Sequence, residues 1–370
     1  MGCVIRNAGL FGLPLLEGAG LPNMAWNNPF KSSGACAMKL SFSSVLNRRA
    51  TLNTLGLAAW ALCTGLAGAQ AVYPAHPITL VVPFPPGGST DVVARAIAPK
   101  LGERLGATIV VDNRPGAGTA IGAAYVAKAA PDGYTLFMGP GSTLTLNPAV
   151  RKNLPYDSVK SFEPVGMITR AGLVLLANAQ VPVQNLAELK AAVKAAPDKY
   201  SYASFGAGTS SHFVAEMAFY AMGLKVTHIP YKGSAPAMTD LLGGQVPLAF
   251  DTVTATLPQL KTGKIRAIAV ASSKRLAALP NVPTFAESGY PDVKLDSWVM
   301  LLTPRGVGAP IKAKLQKALG DTLADPGVRK ALSDQGLEPS FSTAAEASAL
   351  IESELPLMRA TAVRANIQAD

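Results

Sequence analysis

The chain contains 370 residues, of which 15% are charged, and its formal net charge is +10. The basic residues form no Lys/Arg run, which argues against a nucleic-acid-binding stripe. All three cysteines lie within the first 63 residues, so neither a disulfide framework nor a cysteine-based zinc site is expected in the rest of the chain.

The first 71 residues have the order of features typical of an export signal. Met38 begins a basic region with an Arg48–Arg49 pair, the apolar stretch Leu55–Leu66 follows, and Ala69–Gln70–Ala71 forms a small-residue cleavage site. We expect 38–71 to be a signal peptide cleaved near Ala71, rather than an ordinary buried helix, and the product to reach the periplasm. The arginine pair leaves the Sec and twin-arginine routes open. Residues 1–37 are interpreted as an upstream start chosen too early, with a genuine extension as the alternative.

The chain after residue 71 is expected to be a soluble protein without cysteines. Removing residues 1–71 takes away five basic residues and one acidic residue, so 28 basic and 22 acidic residues remain and the net charge is +6. This mild, dispersed charge is compatible with an anionic small-molecule ligand. No later segment is long and apolar enough for a membrane helix, and a chain of this length can bury a core without disulfides.

Strand-like and helix-like segments then alternate. The first series comprises a strand over Ile78–Phe84, a helix over Asp91–Leu105, a strand over Ala107–Asn113, a helix over Ala120–Ala130 and a strand over Tyr134–Gly139. Apolar strands of this length, bounded by turn residues, are typical of a parallel sheet that helices cover on both faces.

A second series of the same kind follows. It comprises a strand over Ala171–Ala179, a helix over Asn185–Ala196, a strand over Tyr200–Gly206, a helix over Ser210–Gly223, a strand over Lys225–Tyr231, a helix over Ala235–Gly244, and strands over Val246–Thr252 and Ile265–Ser272. The tail has one strand, Ser297–Pro304, and two helices, which are too few elements for a third domain. We therefore predict an α/β protein of two lobes, each a mostly parallel sheet flanked by helices, with lobe 1 formed by 72–173 plus 274–370 and lobe 2 by 174–273.

Two loops that combine glycine with hydroxyl residues are the main candidate site. The sequence PFPPGGSTD (83–91) joins the first strand to its helix, and SFGAGTSSH (204–212) does the same in the second lobe. Ligands of open α/β sheets bind at such loops, where glycine admits a close backbone approach and free N–H groups favour an anion. Simple helix capping by Ser89 or Thr90, with Asp91 complementing the helix dipole, is the alternative. The repetition in both lobes favours a cleft that clamps a small anion from both sides.

Further candidates follow other strands. The segment Gly139–Pro148 contains Ser142 and Thr143 and should reach the same rim, and the second lobe offers Tyr231, Lys232, Asp251 and Thr252 at equivalent positions. A lone lysine or aspartate in a loop is more often a solvated charge, and His212 could either bind a ligand or cap its own helix.

The sequence contains none of the common catalytic or nucleotide-binding signatures. The glycine-rich segment Gly116–Gly122 has loose spacing for a dinucleotide loop and is interpreted as a turn with helix packing. G-x-x-x-x-G-K-[ST], G-x-S-x-G, H-E-x-x-H and C-x-x-C are all missing from the sequence. An α/β hydrolase or nucleotide-dependent oxidoreductase remains the alternative function class, but we expect no catalytic residues, no cofactor and no metal.

Several segments, in order, resemble one known family. YPAHPITLVVPFPPGGSTDVVARAIAPKLGERLG, VVDNRPGAGTAIGAAYVAKAAPDGYTL, LPYDSVKSFEPVGMI, YKGSAPAMTDLLGGQV and LPNVPTFAESGYPD are similar to the Bug-type extracytoplasmic solute receptors of tripartite tricarboxylate transporters. The resemblance runs from about Tyr73 to the C-terminus. It implies a two-lobed, flytrap-like periplasmic receptor that delivers carboxylates to a two-component membrane permease.

The resemblance also implies that loop amides, hydroxyls and waters hold the ligand carboxylate, without an arginine. With the strand-end candidates added, the predicted ligand-binding residues are Phe84, Gly87, Gly88, Ser89, Thr90, Asp91, Ser142, Thr143, Gly206, Ala207, Gly208, Thr209, Ser210, His212 and Asp251. We expect a monomer that binds no nucleic acid. Dicarboxylates, tricarboxylates, amino acids and aromatic acids all remain possible ligands, and presentation of the ligand to a membrane sensor is an alternative to transport.

Overall fold

A computed structural model describes residues 73–369 of the chain. The predicted signal peptide and residues 1–37 lie outside this range, as does the expected cleavage site. No helix within residues 73–369 has the length and apolar character needed to cross a membrane.

The predicted helices and strands are present in the predicted order, together with further short elements. The eleven strands of the described residues are β1 (Ile78–Val82), β2 (Ile109–Asn113), β3 (Thr135–Pro140), β4 (Phe162–Ala171), β5 (Leu173–Asn178), β6 (Ser201–Ser204), β7 (Thr227–Pro230), β8 (Leu248–Thr252), β9 (Ile265–Val270), β10 (Ser297–Pro304) and β11 (Glu338–Pro339). The ten α-helices in the same range are α1 (Ser89–Leu105), α2 (Ala120–Ala127), α3 (Asn147–Val150), α4 (Leu186–Ala195), α5 (Ser210–Met222), α6 (Ser234–Leu242), α7 (Val253–Leu260), α8 (Ala309–Ala324), α9 (Pro326–Ser333) and α10 (Ala344–Arg364).

The strands form two mixed sheets, which define the two lobes. The first sheet has the order β11-β4-β10-β3-β1-β2, and the second has the order β7-β6-β8-β5-β9. Among the described strands, the pairs β1–β2, β1–β3, β6–β7 and β6–β8 are parallel, whereas three pairs of the first sheet and two of the second are antiparallel, so the prediction of mostly parallel sheets is wrong. Parallel neighbours require a crossover helix between them. The strands β4, β5, β9 and β10 carry the chain between the sheets without such a helix and pair antiparallel.

The chain crosses between the lobes at two places. Gly172 alone separates β4 from β5. The return lies close to Ser297 rather than at residue 274, the start of the segment that we assigned to lobe 1. The reason is burial, because Phe285 and Val293 pack into the apolar core of the second sheet, and Thr284 forms a bridge with Val270 at the end of β9. Residues 274–296 therefore pack with the second lobe.

Apolar residues at helical spacing explain how the helices cover the sheets. In α1, Val93, Ile97 and Leu101 are fully buried against Ile78 and Leu80 of β1. In α4, Asn185 caps the helix, since its side chain accepts a hydrogen bond from the Glu188 N–H. Parallel strands β1 and β3 of the first sheet, and β6 and β8 of the second, end in loops that lead into helices or helical turns. These loops meet between the lobes.

Candidate functional site

A small cavity lies where the loops of the two lobes meet. Its lining residues are Phe84, Gly88, Ser89, Thr90, Ser142, Phe205, Ser234, Asp251, Thr252 and Ser297. Six of the predicted binding residues therefore come together here, and none of the ten lining residues is a lysine or an arginine. The volume of this cavity is about 30 Å³. A single water molecule needs roughly 10–15 Å³. The described conformation thus leaves little free space between the two lobes.

The first-lobe loop presents the uncapped start of a long helix to this cavity. Gly88 is the N-cap residue of α1, and no side chain caps the first turn. The first N–H groups of an α-helix have no partner within the helix, and Gly88, Ser89 and Thr90 all line the cavity. Helix N-termini with free N–H groups favour anions. This end of α1 is therefore suited to a carboxylate.

Gly87 and Asp91 support this loop from behind instead of lining the cavity. Gly87 has φ +85°, and its N–H donates to Asp91 Oδ2 over 2.9 Å. Arg95 Nε donates to the same oxygen, and Asn113 Nδ2 donates to Oδ1, each over 2.9 Å. Burial would raise the pKa of Asp91, but the hydrogen bonds from Arg95, Gly87 and Asn113 outweigh it and lower that pKa. An ionised Asp91 therefore fixes the left-handed turn that aims the loop at the cleft.

The second-lobe loop lines the cavity with Phe205, and the start of α5 contacts Ser142 of the cavity wall. The Ser210 N–H donates to Ser142 Oγ over 3.2 Å, and Ser142 lines the cavity from the first lobe. The Ser210 side chain is 2% exposed, and among the described residues its Oγ is a buried polar atom without a hydrogen-bond partner. A buried hydroxyl without a partner costs about 1–3 kcal/mol. Thr209, the N-cap residue, donates from Oγ1 to Gly206 O over 2.5 Å and leaves the helix start uncapped.

The residues Gly206, Ala207 and Gly208 lie beside the cavity, where they contact the first lobe. A Cβ atom on Gly208 would be 2.3 Å from Asn147 Oδ1, and one on Gly118 would be 2.4 Å from Ala207 O. Glycine at 118 and 208 thus permits the close approach of the two lobes.

The segment Gly116–Gly122, which we interpreted as a turn with helix packing, forms the first-lobe side of this contact with its residues Gly116–Thr119. Two of its non-glycine residues, Ala117 and Thr119, have positive φ values of 46° and 92°, a costly backbone conformation that often accompanies function. The tetrapeptide Gly-Ala-Gly-Thr occurs both at 116–119 and at 206–209. This repeated tetrapeptide could have indicated from the sequence that the two segments have a related role.

Two further predicted residues, Thr143 and His212, face away from the cavity. Thr143 Oγ1 donates to Thr119 Oγ1 over 2.7 Å, and its carbonyl accepts from the Tyr156 hydroxyl over 2.8 Å. His212 lies behind the second-lobe loop, with Nδ1 accepting the Gly208 N–H over 3.1 Å. Both side chains therefore support loops. Of the weaker candidates, Tyr231 donates to Asp240, and Lys232 is exposed outside the cavity.

Asp251 contributes a buried carboxyl group to the cavity wall. Its Oδ2 accepts from Ser234 Oγ over 2.6 Å, and its Oδ1 accepts from the Thr252 N–H over 2.7 Å. The side chain is 1% exposed, and burial raises its pKa to about 6. A carboxyl with this pKa changes its charge close to neutral pH, next to the place where the loops would hold an anion.

Three lining residues were missed at the level of sequence. Phe205 packs edge to face against Phe84 across the cleft, with ring centroids 5.8 Å apart. Both aromatic residues precede the glycines of their loops. The equivalent positions of Phe84 and Phe205 in the two loops could therefore have indicated Phe205 as a lining residue. Ser234 and Ser297 carry no local signal, since tertiary folding alone brings them to the site.

Comparison with known proteins gives a consistent result. The family model described as "Tripartite tricarboxylate transporter family receptor" matches residues 93–365. The solved structure of the periplasmic binding protein BugD is 38% identical, with a TM-score of 0.77, covering 80% of this chain and 99% of its own. MatC from Rhodopseudomonas palustris with bound malate is 33% identical, with a TM-score of 0.75 and coverages of 78% and 99%. R. palustris Rpa4515 with adipate is 34% identical, with a TM-score of 0.78 and coverages of 80% and 99%. These matches confirm the predicted family resemblance and the predicted fold class.

Proposed function

Because the chain belongs to the tripartite tricarboxylate transporter receptor family, we propose that it is a periplasmic receptor that binds a small carboxylate in the interlobe cleft and delivers it to a two-component membrane permease. The ligand-binding groups are the N–H groups and hydroxyls at the starts of α1 and α5, together with the hydroxyl of Ser142. Catalysis has no part in this proposal.

The observation that carries the proposal is the unpartnered Ser210 hydroxyl at the start of α5. This hydroxyl is buried at the start of α5, where the Ser210 N–H donates to Ser142 of the cavity wall, and the uncapped start of α1 lines the cavity itself. A carboxylate oxygen would accept a hydrogen bond from this hydroxyl and would also interact favourably with the helix N-terminus. A ligand without an oxygen acceptor would leave the hydroxyl unpaired, and a cation would oppose the positive end of the helix dipole. The chemistry of the site thus favours an anion with oxygen acceptors.

The liganded relatives support dicarboxylates as the first compounds to test. MatC has malate bound and Rpa4515 has adipate, and these acids differ in length. A receptor that grips one carboxylate through loop groups can accept different lengths if the rest of the cleft adapts.

Ligand exchange requires the lobes to separate, because about 30 Å³ of free space is far too small for malate. The two crossings at Gly172 and near Ser297 are suited to act as the hinge, since few residues must change conformation there. The glycine contacts between Gly118 and Ala207, and between Gly208 and Asn147, then form upon closure.

The test is a calorimetric titration of the protein lacking residues 1–71 with malate, adipate, succinate, citrate and aspartate. We expect at least one of these acids to bind with a Kd in the micromolar range or below, and to be recovered chemically unchanged. Melting curves provide a second readout, since a ligand at 100 times its Kd adds about 2.7 kcal/mol to the stability of the native state. Failure of every small carboxylate to bind, or conversion of the bound acid, would contradict the proposed function.

A further inference from the structure

Two histidines are stacked behind the second-lobe loop. The rings of His212 in α5 and His228 in β7 lie nearly parallel, with centroids 4.1 Å apart and an interplanar angle of 9°. His228 stacks in turn on Tyr202 of β6, with centroids 4.8 Å apart. His212 is 3% exposed. This stack fills the space between the sheet and the loop and does not line the cavity.

Each imidazole is connected to one glycine N–H of the loop. The Gly208 N–H donates directly to His212 Nδ1 over 3.1 Å. The Gly206 N–H donates to Ser204 Oγ over 3.2 Å, and Ser204 Oγ lies 2.6 Å from His228 Nε2. Since Ser204 Oγ accepts from Gly206, its own proton is available for His228 Nε2. The amides of Gly206 and Gly208, on either side of Ala207, are thus turned inward, one by each histidine.

The bond from the Gly208 N–H requires a neutral His212 imidazole. A protonated His212 would have no acceptor at Nδ1 for the Gly208 N–H. Burial, together with the charges of His228 and Arg151, lowers the pKa of His212 to about 3, and burial lowers the pKa of His228 to about 4. The remaining titratable groups that face the stack are Tyr202 and Glu216, which bond to each other. Burial raises the pKa of Glu216, so that this carboxyl does not favour protonation of His212 strongly.

We propose that His212 and His228 are positioning residues, which hold the loop 206–210 in the conformation that binds the ligand. The inference rests on the proposed function, because the loop is a binding element only if the cleft takes an anion. With the amides of Gly206 and Gly208 held inward, the chain turns so that α5 begins at Ser210 beside the cavity. Without the two acceptors, those amides would turn outward and the Ser210 hydroxyl would leave its place.

The test exchanges each histidine for asparagine and for glutamine. An asparagine side chain places its amide oxygen near the position of Nδ1, whereas glutamine reaches the position of Nε2. His212→Asn and His228→Gln therefore keep the required acceptor, while His212→Gln and His228→Asn move it away. Each position thus has a matched control of nearly the same size and polarity, and melting curves verify that all four variants fold.

The readout that needs no ligand is hydrogen exchange of the Gly206 and Gly208 amides, followed by NMR. We expect His212→Gln to accelerate exchange at Gly208 at least tenfold and His228→Asn to do so at Gly206, with near-wild-type exchange in the other two variants. In titrations with malate or adipate, the same two variants should bind at least tenfold more weakly. Equal exchange and equal affinity in all four variants would overturn the inference. A wild-type protein that binds none of the acids would contradict the proposed function instead, and the exchange rates would still test the positioning role.

Discussion

Replacing Ser210 by alanine removes a buried hydroxyl that has no hydrogen-bond partner in the described structure. In the unliganded protein this change relieves a desolvation cost of about 1–3 kcal/mol. We therefore expect Ser210→Ala to be as stable as the wild type or more stable, with each kcal/mol gained raising Tm by about 2–4 °C in a protein of this size. If the hydroxyl donates to a bound carboxylate, the same change loses about 1.5–3 kcal/mol of binding free energy, which weakens Kd about 10- to 150-fold.

The adjacent serine provides the matched control. Ser211 is equally buried in the same helical turn, but its Oγ accepts the Phe205 N–H over 3.0 Å. Ser211→Ala leaves that amide without an acceptor, so we expect it to lower stability by about 1–3 kcal/mol. Calorimetric titration with whichever acid binds the wild type, combined with melting curves, measures both quantities for both variants. Unchanged affinity in Ser210→Ala, together with a loss of stability like that of Ser211→Ala, would refute the assignment of the Ser210 hydroxyl to the ligand.

Three further changes test the lobe contact, the charge of the cleft and the maturation of the chain. Gly208→Val should weaken ligand binding at least tenfold, because the new Cβ would meet Asn147 when the lobes close. Gly223→Val is the control, since Gly223 has a similar left-handed backbone (φ +65° against +76° at Gly208) but no heavy atom within 4 Å of the added Cβ, and it should lower stability without lowering affinity. Equal losses of affinity in calorimetry would contradict this. Affinity for a dicarboxylate should rise as the pH falls from about 7.5 to 5.5, because protonation of Asp251, whose pKa burial raises to about 6, removes a negative charge beside the anion. Asp251→Asn should abolish this rise. The same pH profile in Asp251→Asn as in the wild type would contradict the assignment. N-terminal sequencing of periplasmic protein should begin near Val72, and the detection of residues 1–37 would reject the predicted cleavage.

The sequence was most informative where the chemistry is local. The loops around Gly88 and Gly206 were identifiable because a strand, a glycine pair and a hydroxyl-rich helix start follow one another directly in the chain. The capping role of Asn185 was predictable for the same reason, since the N-cap bond joins residues three positions apart.

The parts of the site that depend on tertiary folding were not predictable in this way. Ser234 and Ser297 reach the cavity from separate elements. The acceptor role of His212 depends on the turn before α5, which brings the Gly208 N–H close to the His212 ring. The antiparallel pairs of the two sheets were missed because a short apolar strand has the same sequence pattern whether the chain enters it from a crossover helix or from the other lobe. Similarly, Phe285 lies in the segment that we assigned to lobe 1, and only its packing places it in the second lobe.

The central claim, that the starts of α1 and α5 grip one carboxylate between the lobes, is tested most directly by amide chemical shifts during a titration. Isotope-labelled protein lacking residues 1–71 would be titrated with malate, adipate, succinate, citrate and aspartate while the N–H signals of Ser89, Thr90 and Ser210 are followed. The account predicts that an acid that binds shifts all three signals in a saturable manner, with the same Kd for both lobes. Saturable binding that leaves these three signals unchanged, or that shifts the signals of one lobe alone, would contradict it.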